Sequence, residues 1–237
     1  MRTSTARTPA PEPPADVVLF DFGGTLEADG LHWSPRFHAA YRAVGGGLDF
    51  AEFDPFFKTA DETLGRMAGI RTLGFRATIE AAARLVVGLL PDPVDAAALA
   101  HRLHTEATDI VARNLPILER LAGRYRLAVV SNFTGNLRPC LAELGLARFF
   151  SVLSDSALVG WSKPDRRIFE HTLAELKVSP QQAWMVGDNF EADIRGAAGL
   201  GIRTCWLAPS DRTAPPGAER VPTARISRLP EIERVLE

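Results

Sequence analysis

Lysine is scarce in this chain: of 27 basic residues only Lys58, Lys163 and Lys177 are lysine, and the rest are arginine. Such a bias is a property of composition, yet it makes each lysine a candidate for work that an arginine cannot do. Cysteine is scarcer still. Cys140 and Cys205 lie far apart without metal-ligand spacing, which argues against a disulfide scaffold and for two buried thiols in a reducing compartment. Basic excess is missing too: the net charge is −2, so the chain lacks the electrostatic footprint of a nucleic-acid binder. No apolar run approaches the ~20 residues of a membrane span. Met1–Pro14, with four prolines and little apolar content, reads as a disordered tail and not as a signal peptide. These shortages lead us to expect a cytoplasmic protein with no nucleic-acid or membrane partner. What is present suffices for a core: 46% of 237 residues are hydrophobic, which suits one domain with a sizeable insertion.

Four short apolar runs end in turn residues. Val17–Phe20 stops at Asp21 before Gly23 and Gly24, Leu127–Val130 stops at Ser131 and Asn132, Ala183–Val186 stops at Gly187 and Asp188, and Thr204–Leu207 follows a Gly-Leu-Gly turn. Each reads as a strand buried on both faces. Helical patterns lie between them at Leu115–Arg124, Asn136–Leu144, Arg166–Leu176 and Glu191–Ala198. This alternation predicts a Rossmann-like α/β fold with a doubly wound parallel sheet. From about Leu31 to Ala112 the strand-like runs vanish and helical composition takes over, broken at Pro91-Asp92-Pro93. A helical cap at 31–112, inserted after the first strand, is therefore expected on a core of 16–30 and 113–237, with 1–15 as the tail. Pro209–Pro222 reads as a surface loop, and Arg225–Glu237 as a last short strand and helix.

Ligands of an open parallel sheet bind beyond the carboxyl ends of its strands. That rule brings Asp21, Ser131, Asn132 and Asp188 into one crevice. A carboxylate such as Asp21 can attack phosphorus and divide one hard transfer into two easier ones, provided a cation offsets the repulsion. Asp188 and Asp193 could hold that cation, and a phosphate partner with few hard oxygen ligands suits Mg²⁺. Ser131 and its neighbouring amides could donate to phosphate oxygens. Lys163 could meet the remaining charge as a compact ammonium.

In this order the motifs resemble those of the haloacid dehalogenase-like (HAD) hydrolases: Val-Leu-Phe-Asp21-Phe-Gly-Gly-Thr25-Leu first, Val-Val-Ser131-Asn132 second, Lys163-Pro-Asp third, and Gly187-Asp188-Asn-Phe-Glu-Ala-Asp193 fourth. The resemblance runs from about Asp16 to Leu207. It implies a phosphatase acting on a small phosphorylated metabolite through an aspartyl-phosphate. It also implies Asp21 as nucleophile and Lys163 as charge stabiliser, with Ser131 and Asn132 on the phosphate. Mg²⁺ would be held by Asp21, the Gly23 carbonyl, Asp188 and Asp193.

One position departs from the family pattern. The phosphatases usually carry a second Asp two residues after the nucleophile as general acid and base, and here Gly23 stands there. General acid–base catalysis contributes about 10²–10⁴-fold, so good leaving groups should suffer least, and, if the shuttle alone is missing, an aspartate restored at 23 should raise turnover. Glu27, Asp29, His32 and Glu62 are the substitute proton donors considered. The departure also admits a non-catalytic or weakly active phosphate-binding protein. A third reading is phosphonoacetaldehyde-type C–P cleavage, in which a cap lysine forms a Schiff base and Lys58 is the one lysine of the cap. His101 and His104 are three apart on a helix but lack further ligands for a metal. Trp33, Phe53, Phe56 and Phe57 read as cap packing, and Trp161 is expected near the site entrance.

Overall fold

The computed structural model describes residues 16–216, 218 and 221–236, so the expected tail, 1–15, lies outside the described residues. Six strands form one all-parallel sheet: β1 (Val17–Phe20), β2 (Arg126–Ser131), β3 (Phe150–Asp155), β4 (Ala183–Gly187), β5 (Arg203–Leu207) and β6 (Ala224–Ile226). Their order is β3-β2-β1-β4-β5-β6. The chain winds outward from β1 in one direction, then crosses back and winds outward in the other, so the switch point lies between β1 and β4.

All four residues of β1 are fully buried, and period-2 alternation splits them between two cores. Val17 and Leu19 pack with Ile168 and Phe169 of the helix Arg166–Leu176 on one face. Val18 and Phe20 join a larger core on the other face that continues into the helical lobe. Phe20 pairs with Val129 on one side and Val186 on the other. The carboxyl ends of β1, β2 and β4 therefore open at one level.

That lobe contains α1 (Trp33–Ala43), α2 (Phe50–Gly65), α3 (Phe75–Leu89) and the start of α4 (Ala96–Ala122). A capping box between Asp49 and Glu52 starts α2, with bonds of 2.9 and 3.0 Å. Asp95 starts α4 by accepting from the Ala97 amide at 2.8 Å. On α3, Phe75, Ile79, Ala83 and Val86 form the buried stripe.

The chain differs from expectation at three places. The helical stretch ending near Ala112 and the helix expected at Leu115–Arg124 are one element: α4 runs unbroken through Ala112 and Arg113 and contains Pro116. Asn114 is fully buried within it and donates to the Leu26 carbonyl at 3.1 Å, tying the helix to the loop after β1. Strand β3 was not anticipated. It pairs only with β2 at the sheet edge, so its Phe-Ser-Val-Leu-Ser-Asp sequence needs no continuous apolar run. Finally, the helix expected at 191–198 begins as a π-helical turn, Phe190–Arg195. Among the described residues, no helix is long and apolar enough to cross a membrane.

Candidate active site

Asp21 extends the β1 ladder by one bond, its amide donating to the Val186 carbonyl at 2.9 Å. The residue is only 7% exposed, and its carboxylate accepts from the Lys163 ammonium at 2.7 Å. The same ammonium donates to Asp193 Oδ1 at 2.6 Å. Asn132, at the end of β2, clamps the Lys163 main chain from both sides: its amide nitrogen donates to the Lys163 carbonyl at 2.9 Å, and its oxygen accepts from the Lys163 amide at 2.7 Å. Burial alone would lower the Lys163 pKa, but the Asp193 and Asp21 carboxylates outweigh it and hold the amine above its ordinary value.

Asp188 follows β4 directly. Its Oδ1 accepts from the Thr25 hydroxyl at 3.4 Å, while its buried Oδ2 has no hydrogen-bond partner. Burial, then the charges of Asp21, Asp193 and Glu27, push its carboxyl well above the usual range. Asp193 points in from the π-helical turn, the kind of irregularity that concentrates at functional sites. Its Oδ2 accepts from the Asn189 amide at 3.0 Å, and burial pushes its pKa up to about 7 despite Lys163.

Carboxylate oxygens of Asp21, Asp188 and Asp193 lie within 4.8 Å of one another. With all three ionised, the buried carboxylates against one ammonium would leave two negative charges uncompensated, and Asp188 Oδ2 has no donor. An all-oxygen set with that deficit fits a hard divalent cation such as Mg²⁺. The glycine turn makes the close approach possible. Gly24 has φ +93°, and a Cβ there would fall 2.5 Å from Asp188 Oδ1, so both conformation and space require glycine.

Gly23 is constrained differently. A Cβ on it would meet the indole Nε1 of Trp33 at 2.6 Å. Trp33 opens α1 and is held among Phe37 and Phe75, each at 6.0 Å between ring centroids, with the Arg36 guanidinium 4.7 Å over its ring. The side chain missing at 23 is thus replaced in space by a packed indole, and a restored aspartate collides with it. The simple gain expected from Gly23→Asp does not follow.

Of the four substitute proton donors, one borders the cavity over Asp21. Glu27 is fully buried and bound to Arg36 Nη1 at 2.7 Å and to the Gly24 amide at 3.1 and 3.2 Å. Asp29 pairs with Arg113 at 2.6 Å, and the exposed Glu62 lies 3.6 Å from Arg66. His32 lines the cavity with Asp21 and Gly23. Desolvation holds its imidazole below the ordinary value, although Asp21 and Asp61 pull the other way. Asp61, which also lines the cavity, is held above its ordinary value by desolvation against the pull of His32. Sequence reading missed Asp61. The available clue was its helical spacing from Phe57 and Leu64, a carboxylate within an apolar stripe.

Ser131 is 2% exposed and lines the cavity floor beside Asn132. Lys58 does not reach it: the side chain is 72% exposed and pairs with Asp54 on its own helix at 2.6 Å. The C–P cleavage reading thereby loses its amine. Trp161 is also away from the entrance; it packs beside the core on the far face of the sheet, near Arg167 and His171. Trp33 and Phe57 line the cavity, whereas Phe53 stacks on Tyr41 at 5.1 Å. His101 and His104 border a separate groove with Arg76, Glu80 and Arg84. Both cysteines are buried free thiols, pushed up to about 12 by burial. Lys177 ends the helix Arg166–Leu176 in the left-handed conformation at φ 54°.

Comparison with known proteins adds independent findings. A family model for haloacid dehalogenase-like hydrolases matches residues 15–201. A ribulose-1,5-bisphosphate 5-phosphatase from Halopiger xanaduensis is 30% identical over 226 residues, covering 89% of this chain and 92% of that one. A phosphoserine phosphatase from Thermus thermophilus is 39% identical over 107 residues, covering 45% of this chain and 42% of that one. The chain spans about half the length of several curated relatives that it matches. The crystal structure of the HAD-hydrolase YfnB from Bacillus subtilis, bound to magnesium, superposes with a TM-score of 0.59 over 95% of this chain and 100% of that one, at 20% identity.

Proposed function

The chain belongs to the haloacid dehalogenase-like hydrolases, and from that premise we propose that it is a Mg²⁺-dependent phosphatase. It would pass the phosphoryl group of a small phosphate monoester to Asp21 and then to water. The buried cluster carries this reading: three carboxylates within 4.8 Å, one ammonium bridging two of them, and one carboxylate oxygen left without a donor. The phosphatase names among the relatives agree with it. Two buried thiols are consistent with a reducing, cytoplasmic setting.

Asp21, the Gly23 carbonyl, Asp188 and, directly or through water, Asp193 would hold Mg²⁺, which would supply positive charge against which a phosphate dianion could approach a carboxylate. An oxygen of Asp21 bonds to phosphorus as the ester P–O bond breaks, and the electron pair departs on the substrate oxygen. Ser131 and the amides at the end of β2 hold the phosphate oxygens. Asn132 acts by fixing the Lys163 main chain, and Lys163 orients Asp21 through its hydrogen bond and offsets negative charge at the site. Water then attacks phosphorus, which frees inorganic phosphate and restores the Asp21 carboxylate. The proton that the leaving oxygen takes up, and the one that water gives up, are assigned to His32 with Asp61, the titratable pair on the lobe side of the cavity. Residues 31–112 serve as the cap over a core of 16–30 and 113–237.

Turnover of p-nitrophenyl phosphate and acetyl phosphate with Mg²⁺ tests the reading. Wild type should turn over and Asp21→Asn should not; equal activity in both overturns the Asp21 role. A second reading, a phosphate-binding protein with little turnover, is favoured only by Trp33 standing where the proton shuttle usually lies. Robust wild-type turnover overturns it.

A further inference from the structure

The cavity over Asp21 encloses about 280 Å³, close to the small end for ligand sites. Its floor is the polar cluster. Its walls come from Trp33, Phe57, Leu64, Phe75, Ile79 and Val86. Although the chain is rich in arginine, no arginine of the described residues lines this space, and the one lysine that does is Lys163. Both of its side-chain bonds go to Asp21 and Asp193. The Thr78 hydroxyl on the wall is already engaged, donating to the Gly74 carbonyl at 2.7 Å and accepting from Asn136 Nδ2 at 2.7 Å. Asp61, at the rim, adds a negative charge.

These walls reject two kinds of ester. A second anionic group, whether a carboxylate or another phosphate, would enter a largely apolar space with no arginine and no free lysine to meet it, and would face Asp61; a buried charge without a partner is strongly disfavoured. A sugar would place several hydroxyls against the Trp33, Phe57, Leu64, Phe75, Ile79 and Val86 side chains, with only His32 and Asp61 on the lobe side to answer them, and polar groups left unpaired cost selectivity in the same way. An apolar ring or short alkyl chain meets neither penalty and gains by burial. We propose that the substrate is a phosphate monoester of an apolar, ring-sized alcohol or phenol that carries no second anionic group. This rests on the phosphatase reading above and deepens it. It sets the chain apart from relatives whose names specify a bisphosphate and an amino-acid phosphate. A phenolic leaving group also needs the least protonation, which agrees with the indole at Gly23.

The test compares kcat/KM for phenyl, 1-naphthyl and hexyl phosphate with that for O-phosphoserine, glucose 6-phosphate and fructose 1,6-bisphosphate, all with Mg²⁺. The apolar esters should lead by about 10²-fold or more. Ala82→Arg, which places a cation on the wall, should shift the ratio towards O-phosphoserine by at least about tenfold. Turnover of the anionic or sugar esters at equal or greater rate overturns the inference and leaves the phosphatase reading standing. If no ester is hydrolysed, the phosphatase reading fails instead. The inference is then decided by calorimetry with non-hydrolysable phosphonates in the presence of Mg²⁺. Tighter binding of benzylphosphonate than of 2-amino-4-phosphonobutanoate supports it. Equal binding, the reverse order, or binding of neither overturns it.

Discussion

Replacing Asp188 by asparagine should stabilise the metal-free protein while removing its response to metal. The carboxylate oxygens of Asp21, Asp188 and Asp193 lie within 4.8 Å of one another. At that distance, with an effective dielectric of about 20, each ionised pair repels by about 3.5 kcal/mol. Asp188 faces two such neighbours, and the attraction of Lys163 is weaker than either repulsion. The folded protein relieves part of the net repulsion by taking up a proton. We therefore expect a net gain of about 1–3 kcal/mol for Asp188→Asn, or about 2–12 °C in Tm for a chain of this size. Asparagine keeps the oxygen that accepts from Thr25. Thermal melts at pH 7.5 in chelator, then in Mg²⁺, supply the assay. Mg²⁺ should raise the wild-type Tm and leave the variant unmoved. pH provides a second arm. Burial and like charge raise the folded-state pKa of Asp188, and that of Asp193 to about 7. The folded state then holds more protons than the unfolded one between about pH 4 and pH 7, so metal-free stability is full in acid and falls as pH rises through that window. A metal-free variant less stable than wild type, or equal stabilisation of both by Mg²⁺, would refute the charge-deficit reasoning.

Three further outcomes follow from the same geometry. Gly23→Asp alone should lower Tm and leave turnover low, because its Cβ meets the Trp33 indole at 2.6 Å; Gly23→Asp with Trp33→Ala should recover up to the ~10²–10⁴-fold that a proton shuttle contributes, read as kcat on an alkyl phosphate. His32→Ala should slow an alkyl phosphate at least about tenfold more than p-nitrophenyl phosphate, because the poorer leaving group needs the proton more; equal slowing of both would remove His32 from proton transfer. Arg36→Met leaves the buried Glu27 without its partner at 2.7 Å and should cost about 3–5 kcal/mol in denaturant melts, with Glu27→Gln restoring part of it in the double variant.

Why some of this could be read from sequence, and some not, has a physical basis. Strands β1, β2, β4 and β5 are buried on both faces, so each leaves a continuous apolar run that ends where the chain turns. Asp21 and Asp188 sit at those ends, and the switch-point rule places them together without any contact information. Strand β3 escapes because an edge position tolerates Ser151 and Ser154 within it. The cavity walls escape for another reason. Which faces of α2 and α3 meet over Asp21 depends on how helices pack across the sheet, and a helical period reports only that a face is apolar. A helical period therefore does not single out Asp61, place Arg36 against Glu27 or connect Trp33 with Gly23. Asn132, placed on the phosphate by resemblance, is engaged with the Lys163 main chain, a contact between residues 31 apart.

The most direct test of the account is to acid-quench the enzyme during turnover of p-nitrophenyl phosphate with Mg²⁺ and to map its peptides by mass spectrometry. The account predicts one added phosphoryl group on the peptide containing Asp21, lost on treatment with hydroxylamine and absent from Asp21→Asn. Steady turnover with no phosphoryl group on that peptide at any quench time, or undiminished turnover by Asp21→Asn, would contradict it.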